Sequence, residues 1–338
     1  VKRVTISDIA KVCETTKTTV SYVINGKLNK VSPEMVQKVK TAMKELGYVP
    51  SHSAKSLAGK GSNLIGVIVP QVDVTQKMIF DNPFYSEFIS GIEYYLRNSG
   101  YSVVLSVVNR ENCFEDMMMK WNLDGAVVFG IDNDEMVKIL GNYAVPVLLI
   151  DSYITSSNFY RMNLQDEEAA YMATKFLIEE GHKNIAVVTG KVEKSMLLEA
   201  RLEGYKRALG DSGIAFRQES VFEGDVTYEY GFEAAKKIEE DPDITGILAS
   251  ADIVAFGVIN YLQSKGRKIP EEYSVVGFDD TYQAKIMHPK LTTVGQNISK
   301  RGEKAGELIL NIIMNRQKEK ETWMKCEMVV RETTRKLK

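Results

Sequence analysis

A chain of 338 residues with 44% hydrophobic and 26% charged residues is longer than one ordinary core organises, and its composition excludes a disordered or low-complexity polymer. The net charge of -2 hides an asymmetry: residues 1–62 carry eleven Lys/Arg against four Asp/Glu, while the remainder is net acidic, so phosphate-seeking charge is confined to the amino-terminal segment. Cys13, Cys113 and Cys326, with His52, His182 and His288, lack metal-ligand spacing, so neither a metal nor a cofactor is expected. No apolar run reaches membrane-span length and no leader pattern opens the chain, so a cytoplasmic protein that does not engage a membrane is expected.

The first segment reads as three short helices. Thr5 is an N-cap with Asp8 three residues on, and Ile9 and Val12 form an apolar stripe. Thr16 caps a second helix whose inward face is Val20, Val23 and Ile24, leaving Lys17, Thr18, Ser21 and Tyr22 outward. Ser32, Pro33 and Glu34 start a third helix with a buried stripe of Met35, Val36, Val39, Met43 and Leu46, ended by Gly47. A helix, a tight turn and a polar-faced second helix are the parts of a helix-turn-helix DNA reader. A bundle that does not bind DNA would need the same apolar stripes, but it would not need the outward hydroxyl and cationic face or the local positive charge.

The stretch that follows has small residues at Ser53, Ala54 and Ala58 around a single Leu57. Composition alone allows a flexible linker. It also suits a hinge helix that orders on DNA, with Leu57 as an apolar wedge in the minor groove.

From residue 64 onward, short apolar runs alternate with amphipathic segments. Strands are predicted at 64–69, 103–108, 126–129, 145–150, 185–189, 246–249 and 274–278, and helices at 84–98, 167–180, 200–212, 230–240, 255–264 and 299–315. That alternation predicts an α/β body of parallel sheets covered on both faces, arranged as two doubly wound subdomains. Ligands of such sheets sit beyond the carboxyl ends of strands, which singles out Asp151, Asp252 and Asp279 just after predicted strands and Arg201 opening a helix. Carboxylates and an arginine suit hydroxyl-bearing ligands, because each can make paired hydrogen bonds. Asp252 also reads as a plain helix cap, and Arg201 as a partner for an acid. Met117-Met-Met119 reads as core filler or as a sticky subunit face.

Taken together, these stretches resemble the LacI/GalR (lactose-repressor/galactose-repressor) family of bacterial transcription regulators. Further matches run in order along the whole chain: Asn63-Leu-Ile-Gly-Val-Ile-Val-Pro70, Asn82-Pro-Phe-Tyr85, Glu180-Gly-His182, Arg201-Leu-Glu-Gly-Tyr205, Ser274-Val-Val-Gly-Phe-Asp-Asp280, Leu291-Thr-Thr-Val294 and Arg331-Glu-Thr-Thr334. The resemblance implies a DNA-binding domain over 1–49, a hinge helix over 50–62 and a periplasmic-binding-protein-like body over 63–338. It implies chain crossings near Leu164, Thr293 and Trp323, hence an amino lobe of about 63–163 and 294–322 and a carboxyl lobe of about 164–292 and 323–338.

It also implies DNA contacts from Thr5, Thr16, Lys17, Thr18, Thr19, Ser21, Tyr22, Asn25, Ser32, Ala54 and Leu57, and effector contacts from Tyr85, Asp151, Arg201, Asp252 and Asp279. The partners are then operator DNA, a small sugar-like effector and a second copy in a homodimer. A coiled-coil tetramer is not expected, since no heptad tail follows Val330.

The chain departs from the family pattern at the first turn (Glu14-Thr15 in place of glycine), at Tyr22 in place of arginine, and at Ser51 in place of asparagine. Around the effector, Ala251, Val226 and Ile298 replace an amide and two stacking aromatics. A sugar transport protein would share the body but not the reader. An enzyme would need a nucleophile–base, phosphate-loop or metal constellation, and none is legible. The effector's sign stays open at this level: release from DNA is the favoured reading, with corepression, by ligand or by partner protein, as the alternative.

Overall fold

The computed structural model describes residues 4–48, 61–70, 78–108, 117, 120–131, 134–155 and 159–337. Two compact units divide between Ser62 and Asn63.

In the first unit, helices α1 (Ile6–Val12), α2 (Lys17–Ile24) and α3 (Pro33–Glu45) enclose Ile9, Cys13, Val20, Val23 and Val39. Each start is capped as its sequence requires. Thr5 gives its N–H and hydroxyl to Asp8 Oδ2 at 2.9 and 2.7 Å, Thr16 Oγ1 accepts from Thr19 N at 3.1 Å, and Ser32 Oγ accepts from Met35 N at 3.3 Å. Glu14 fills the turn between α1 and α2 at φ 53°, a left-handed conformation for which glycine is the less strained residue.

The second unit is α/β. Its first sheet has the order β11-β5-β4-β3-β1-β2, all parallel, built from β1 (Leu64–Pro70), β2 (Ser102–Val108), β3 (Gly125–Phe129), β4 (Val147–Ile150), β5 (Tyr160–Leu164) and β11 (Glu321–Met324). The second has the order β12-β10-β9-β8-β6-β7, from β6 (Ile185–Gly190), β7 (Val221–Gly224), β8 (Gly246–Ala249), β9 (Ser274–Asp279), β10 (Thr292–Gly295) and β12 (Glu327–Val329), with only β12 antiparallel. The strands β3, β4, β6, β8 and β9 are buried along their whole length, which explains their continuous apolar runs.

Helices cover both faces of each sheet. Helix α4 (Pro83–Asn98) packs on the first lobe with α11 (Ile298–Ile313), and α5 (Asp134–Gly141) is a further helix of that lobe. The second lobe carries α6 (Asp166–Glu179), α7 (Met196–Asp211), α8 (Tyr228–Ile238), α9 (Asp252–Ser264) and the short α10 (Tyr282–Ile286). Gly91 and Gly302 let α4 and α11 touch backbone to backbone: a Cβ on Gly91 would lie 2.2 Å from Ser299 O, and one on Gly302 2.1 Å from Phe88 O.

The chain passes between sheets after β5, between β10 and α11, and between β11 and β12. Two of the expected crossings shift. Thr293 lies inside β10, whose pairing with β9 continues to Gly295, and Trp323 lies inside β11, paired with Asn163, so backbone pairing carries the chain on before it turns. Five strands escaped the sequence reading, β5, β7, β10, β11 and β12, because they are short and only partly apolar. Met117 is a core residue of the first lobe, whereas Met118, Met119 and Cys113 lie outside the described residues.

Candidate functional site

The reading helix comes first in the chain. Lys17 and Thr18 at the start of α2 are exposed, and Thr19, Ser21 and Tyr22 are half-buried. The ammonium groups of Lys27 and Lys30 sit 5.9 and 5.4 Å from the centre of the Tyr22 ring, so an aromatic surface with two cations beside it borders this helix. The arrangement suits phosphates at the edge of a groove and base edges within it. Thr5, Thr16 and Ser32 are exposed and already serve as helix caps. Asn25 turns its amide back onto its own helix, donating to Ser21 O at 2.9 Å and to Ser21 Oγ at 3.1 Å, which leaves its carbonyl oxygen as the group for an outside partner. Ala54 and Leu57 fall outside the described residues.

A second constellation forms where the carboxyl ends of the two sheets meet. Asp151 follows β4 at φ 53°, and Asp279 ends β9 at φ 132°, both left-handed positions that place a carboxylate where the strand stops. Tyr85, in the first turn of α4, packs edge-on against Phe84 and Phe129 with centroids 5.3 and 5.8 Å apart. Burial, then the charges of Asp151 and Asp279, push its phenol up to about 12. One phenol therefore senses an acid from each lobe.

Arg201, on α7, donates Nε–H to Asp166 Oδ1 at 2.8 Å and Nη1–H to Ser250 O at 2.6 Å, with its guanidinium 3.4 Å from the centre of the Phe278 ring. Tyr153 OH donates to the other oxygen of Asp166 at 2.7 Å. Burial pushes the Asp151 carboxyl up, and Arg301 opposes that shift through a 2.6 Å ion pair. Burial, then the neighbouring Asp252, raises Asp279 well above the ordinary carboxylate range. At the rim, Tyr282 N of the second lobe donates to Glu87 Oε1 of the first.

Of the five residues expected here, Tyr85, Asp151, Arg201 and Asp279 come together. Asp252 does not present itself to a ligand. Its side chain is fully buried and accepts from Thr281 N at 2.8 Å, Thr281 Oγ1 at 3.0 Å and Thr293 Oγ1 at 2.6 Å. It ties the turns after β8 and β9 to β10, and burial leaves its pKa at about 7 despite those bonds. It is also the first residue of α9 and not its cap, which is Ala251. Nor do Val226 and Ile298 offer a face for stacking: Ile298 is buried in the first-lobe core and Val226 packs on the second.

Sequence reasoning missed Asp166, Ser250, Gln296 and Arg301. Arg301 had a signal, since it is a lone cation at helical spacing among Ile298, Ala305, Leu308 and Ile312. Gln296 had none until β10 was known to end at Gly295. Ser250 Oγ is buried without a hydrogen-bond partner among the described residues. Among the described residues no helix is long and apolar enough to cross a membrane.

The comparisons with known proteins cover both units of the chain. Residues 5–51 match the model for bacterial regulatory proteins of the lacI family, and residues 174–334 match a periplasmic binding protein-like domain. Catabolite control protein A of Priestia megaterium is 36% identical over 299 residues, covering 87% of each chain. The HTH-type transcriptional repressor PurR of Vibrio vulnificus is 33% identical over 341 residues, covering 98% of this chain and 99% of its own. The lac repressor dimer bound to operator and the anti-inducer ONPF superimposes with a TM-score of 0.84 at 26% identity, over 99% of this chain and 100% of that one. A reading helix on a capped three-helix unit, two doubly wound lobes with acids at their facing strand ends, and full-length likeness to such repressors leave one family: the chain belongs to the LacI/GalR family of DNA-binding bacterial transcription regulators.

Proposed function

We propose that this chain is a homodimeric repressor that a small, hydroxyl-rich molecule releases from its operator, acting by binding and not by turnover. The observation that carries this reading is the pair Asp151 and Asp279, acids at strand ends of opposite lobes joined through Arg301 and Gln296, because a ligand that donates to both would bind one arrangement of the lobes better than another. Tyr85 and Arg201 complete the ligand's surroundings, with Asp252 as framework. In the reader, Lys17, Thr18, Ser21 and Tyr22 would meet base edges. Thr5, Thr16, Thr19, Asn25 and Ser32 would meet the backbone, and Ala54 with Leu57 the minor groove at the operator centre. Ordering of the hinge is the step that small lobe shifts interrupt, which favours release over corepression.

The test has two stages. A thermal-shift screen of sugars, sugar phosphates and nucleobases on the full chain finds the ligand, since binding raises the unfolding temperature. Titration of operator DNA, selected from a random pool, then follows with and without it. Tighter operator binding with ligand would reverse the proposed sign.

Tyr22 variants test the reading helix. Replacement by arginine or alanine is expected to change the preferred base at one position in each half-site, with about 1–3 kcal/mol lost per missing contact. An unchanged selected sequence across those variants would remove Tyr22 from the base-reading set.

A further inference from the structure

Arg301 is wholly buried on the apolar face of α11, where its neighbours along the stripe are Ile298, Ala305, Leu308 and Ile312. The glycine contact between α4 and α11 places it beside Phe88, with the guanidinium 5.3 Å from the ring centre. Stability does not account for a cation here. An apolar side chain would fill the stripe without desolvating a charge, and buried ion pairs commonly do no better than apolar replacements. Its Nε–H also has no hydrogen-bond partner among the described residues.

Its other donors are well used. Nη2–H donates to Asp151 Oδ1 at 2.6 Å, and Nη1–H donates to Gln296 Oε1. Holding the Gln296 oxygen fixes which way that amide points, and the amide's N–H then donates to Asp279 Oδ1. One guanidinium thus fixes an acid of the first lobe directly and an acid of the second lobe through a single amide. Asp151 directly follows β4 of the first sheet, Asp279 ends β9 of the second, and Gln296 lies on the segment that connects the lobes.

We propose that Arg301 is a positioning residue for effector recognition, holding Asp151 and, through Gln296, Asp279 as a pair of acceptors at a set spacing across the lobes. This rests on reading the place as the effector site, and it selects ligands that offer two hydrogen-bond donors, as a neutral polyol does, over anions. Among the described residues, the two cations of the site are already matched, Arg301 by Asp151 and Arg201 by Asp166, so a phosphate or carboxylate finds no uncommitted cation among them.

The test needs no ligand, so its outcome can be read even if every sugar in a screen fails to bind. The full-length chain is compared with Arg301→Met, Arg301→Lys, Asp151→Asn and the Arg301→Met/Asp151→Asn double variant. Among the described residues, the groups facing Asp151 besides Arg301 are Asp166, Arg201, Tyr85, Tyr153 and Cys326, and all are retained. Without Arg301 the buried Asp151 carboxylate loses its ion-pair partner, so Arg301→Met should lower the unfolding temperature more at high pH than at low pH, where protonation of Asp151 relieves the stranded charge. Asp151→Asn should abolish that pH difference.

Amide hydrogen exchange supplies the second readout: Arg301→Met should speed exchange severalfold both at 150–152 and at 279–282, with Arg301→Lys between it and the parent. If Arg301→Met does not fold, Arg301→Lys and Asp151→Asn carry the same two readouts. A pH-independent loss, with faster exchange confined to α11 itself, would reduce Arg301 to a space-filling residue and overturn the proposal. Faster exchange at 150–152 without any at 279–282 would overturn the coupling across the lobes.

Discussion

Replacing Arg201 by methionine is expected to destabilise the body by about 3–5 kcal/mol, the usual loss when one partner of a buried ion pair is removed. The pair is closed off from solvent, with the Arg201 side chain 10% exposed and that of Asp166 0%. The substitution leaves Asp166 with the Tyr153 hydroxyl alone, and leaves Ser250 O without its charged donor. The guanidinium's contact with Phe278 goes as well. Adding Asp166→Leu should restore most of the loss, because the cost lies in the stranded charge and not in the missing attraction. Tyr153 OH can then turn fully to Leu164 O, which it reaches at 3.2 Å.

The measurement is urea unfolding followed by tryptophan fluorescence. It reports the body alone, because both tryptophans, Trp121 and Trp323, lie there. Midpoints should move at constant slope. The double variant should regain stability yet give no response to an effector, which separates folding from recognition. If the single variant lost under about 1 kcal/mol, or the double regained nothing, the pair would not be the buried unit described.

The contrast between Arg201 and Arg301 shows what the sequence could and could not disclose. The strands that carry the acids were legible because β4, β8 and β9 are buried on both faces and read as unbroken apolar runs. Their ends located Asp151 and Asp279. The lobe crossings and edge strands were less legible: β11 has only half-buried and exposed residues, so no run marks it. Roles that depend on contacts far along the chain were not legible. Asp252 looks in sequence like Asp279, an acid just after a strand, and only the hydroxyls of Thr281 and Thr293 closing on it make it framework. Asp166 reads as an ordinary first-turn acid until Arg201 is found 35 residues away. The reader was the most legible part, since caps and stripes are local. Even there, the local pattern gave no sign that the Asn25 amide bonds back to Ser21.

Asp279→Ala is expected to yield a protein that binds operator as the parent does and no longer responds to effector. The reader is a separate unit, so its caps and core are untouched. In the body the substitution removes an acceptor that Gln296 and Asp252 N, at 3.4 Å, address from different elements. Residues 279 and 280 both hold positive φ, at 132° and 61°, a strained pair kept in place by such side-chain bonds. Coupling between effector and operator sites is typically worth about 1–3 kcal/mol, so the lost response is about 5–150-fold in operator affinity.

The pH dependence adds a second signature. Burial and then Asp252 raise the folded-state pKa of Asp279 above its unfolded value, with Arg201 and Gln296 opposing. A raised acid favours the protonated fold, so this pair should stabilise the body as pH falls from 8 through the region of Asp252, at about 7, with the gain complete only below the unfolded value. Burial of His182 lowers its pKa and acts in the opposite direction, removing stability as pH falls through the ordinary histidine range. Asp279→Asn keeps the shape but removes this titration, and should weaken the rise in unfolding temperature as pH falls, while Asp252 and His182 continue to act. Operator titrations with and without the screened ligand, run on the parent, Asp279→Ala and Asp279→Asn, decide the matter. An equal ligand response in the parent and Asp279→Ala would take Asp279 out of the effector site, whatever the pH curve shows.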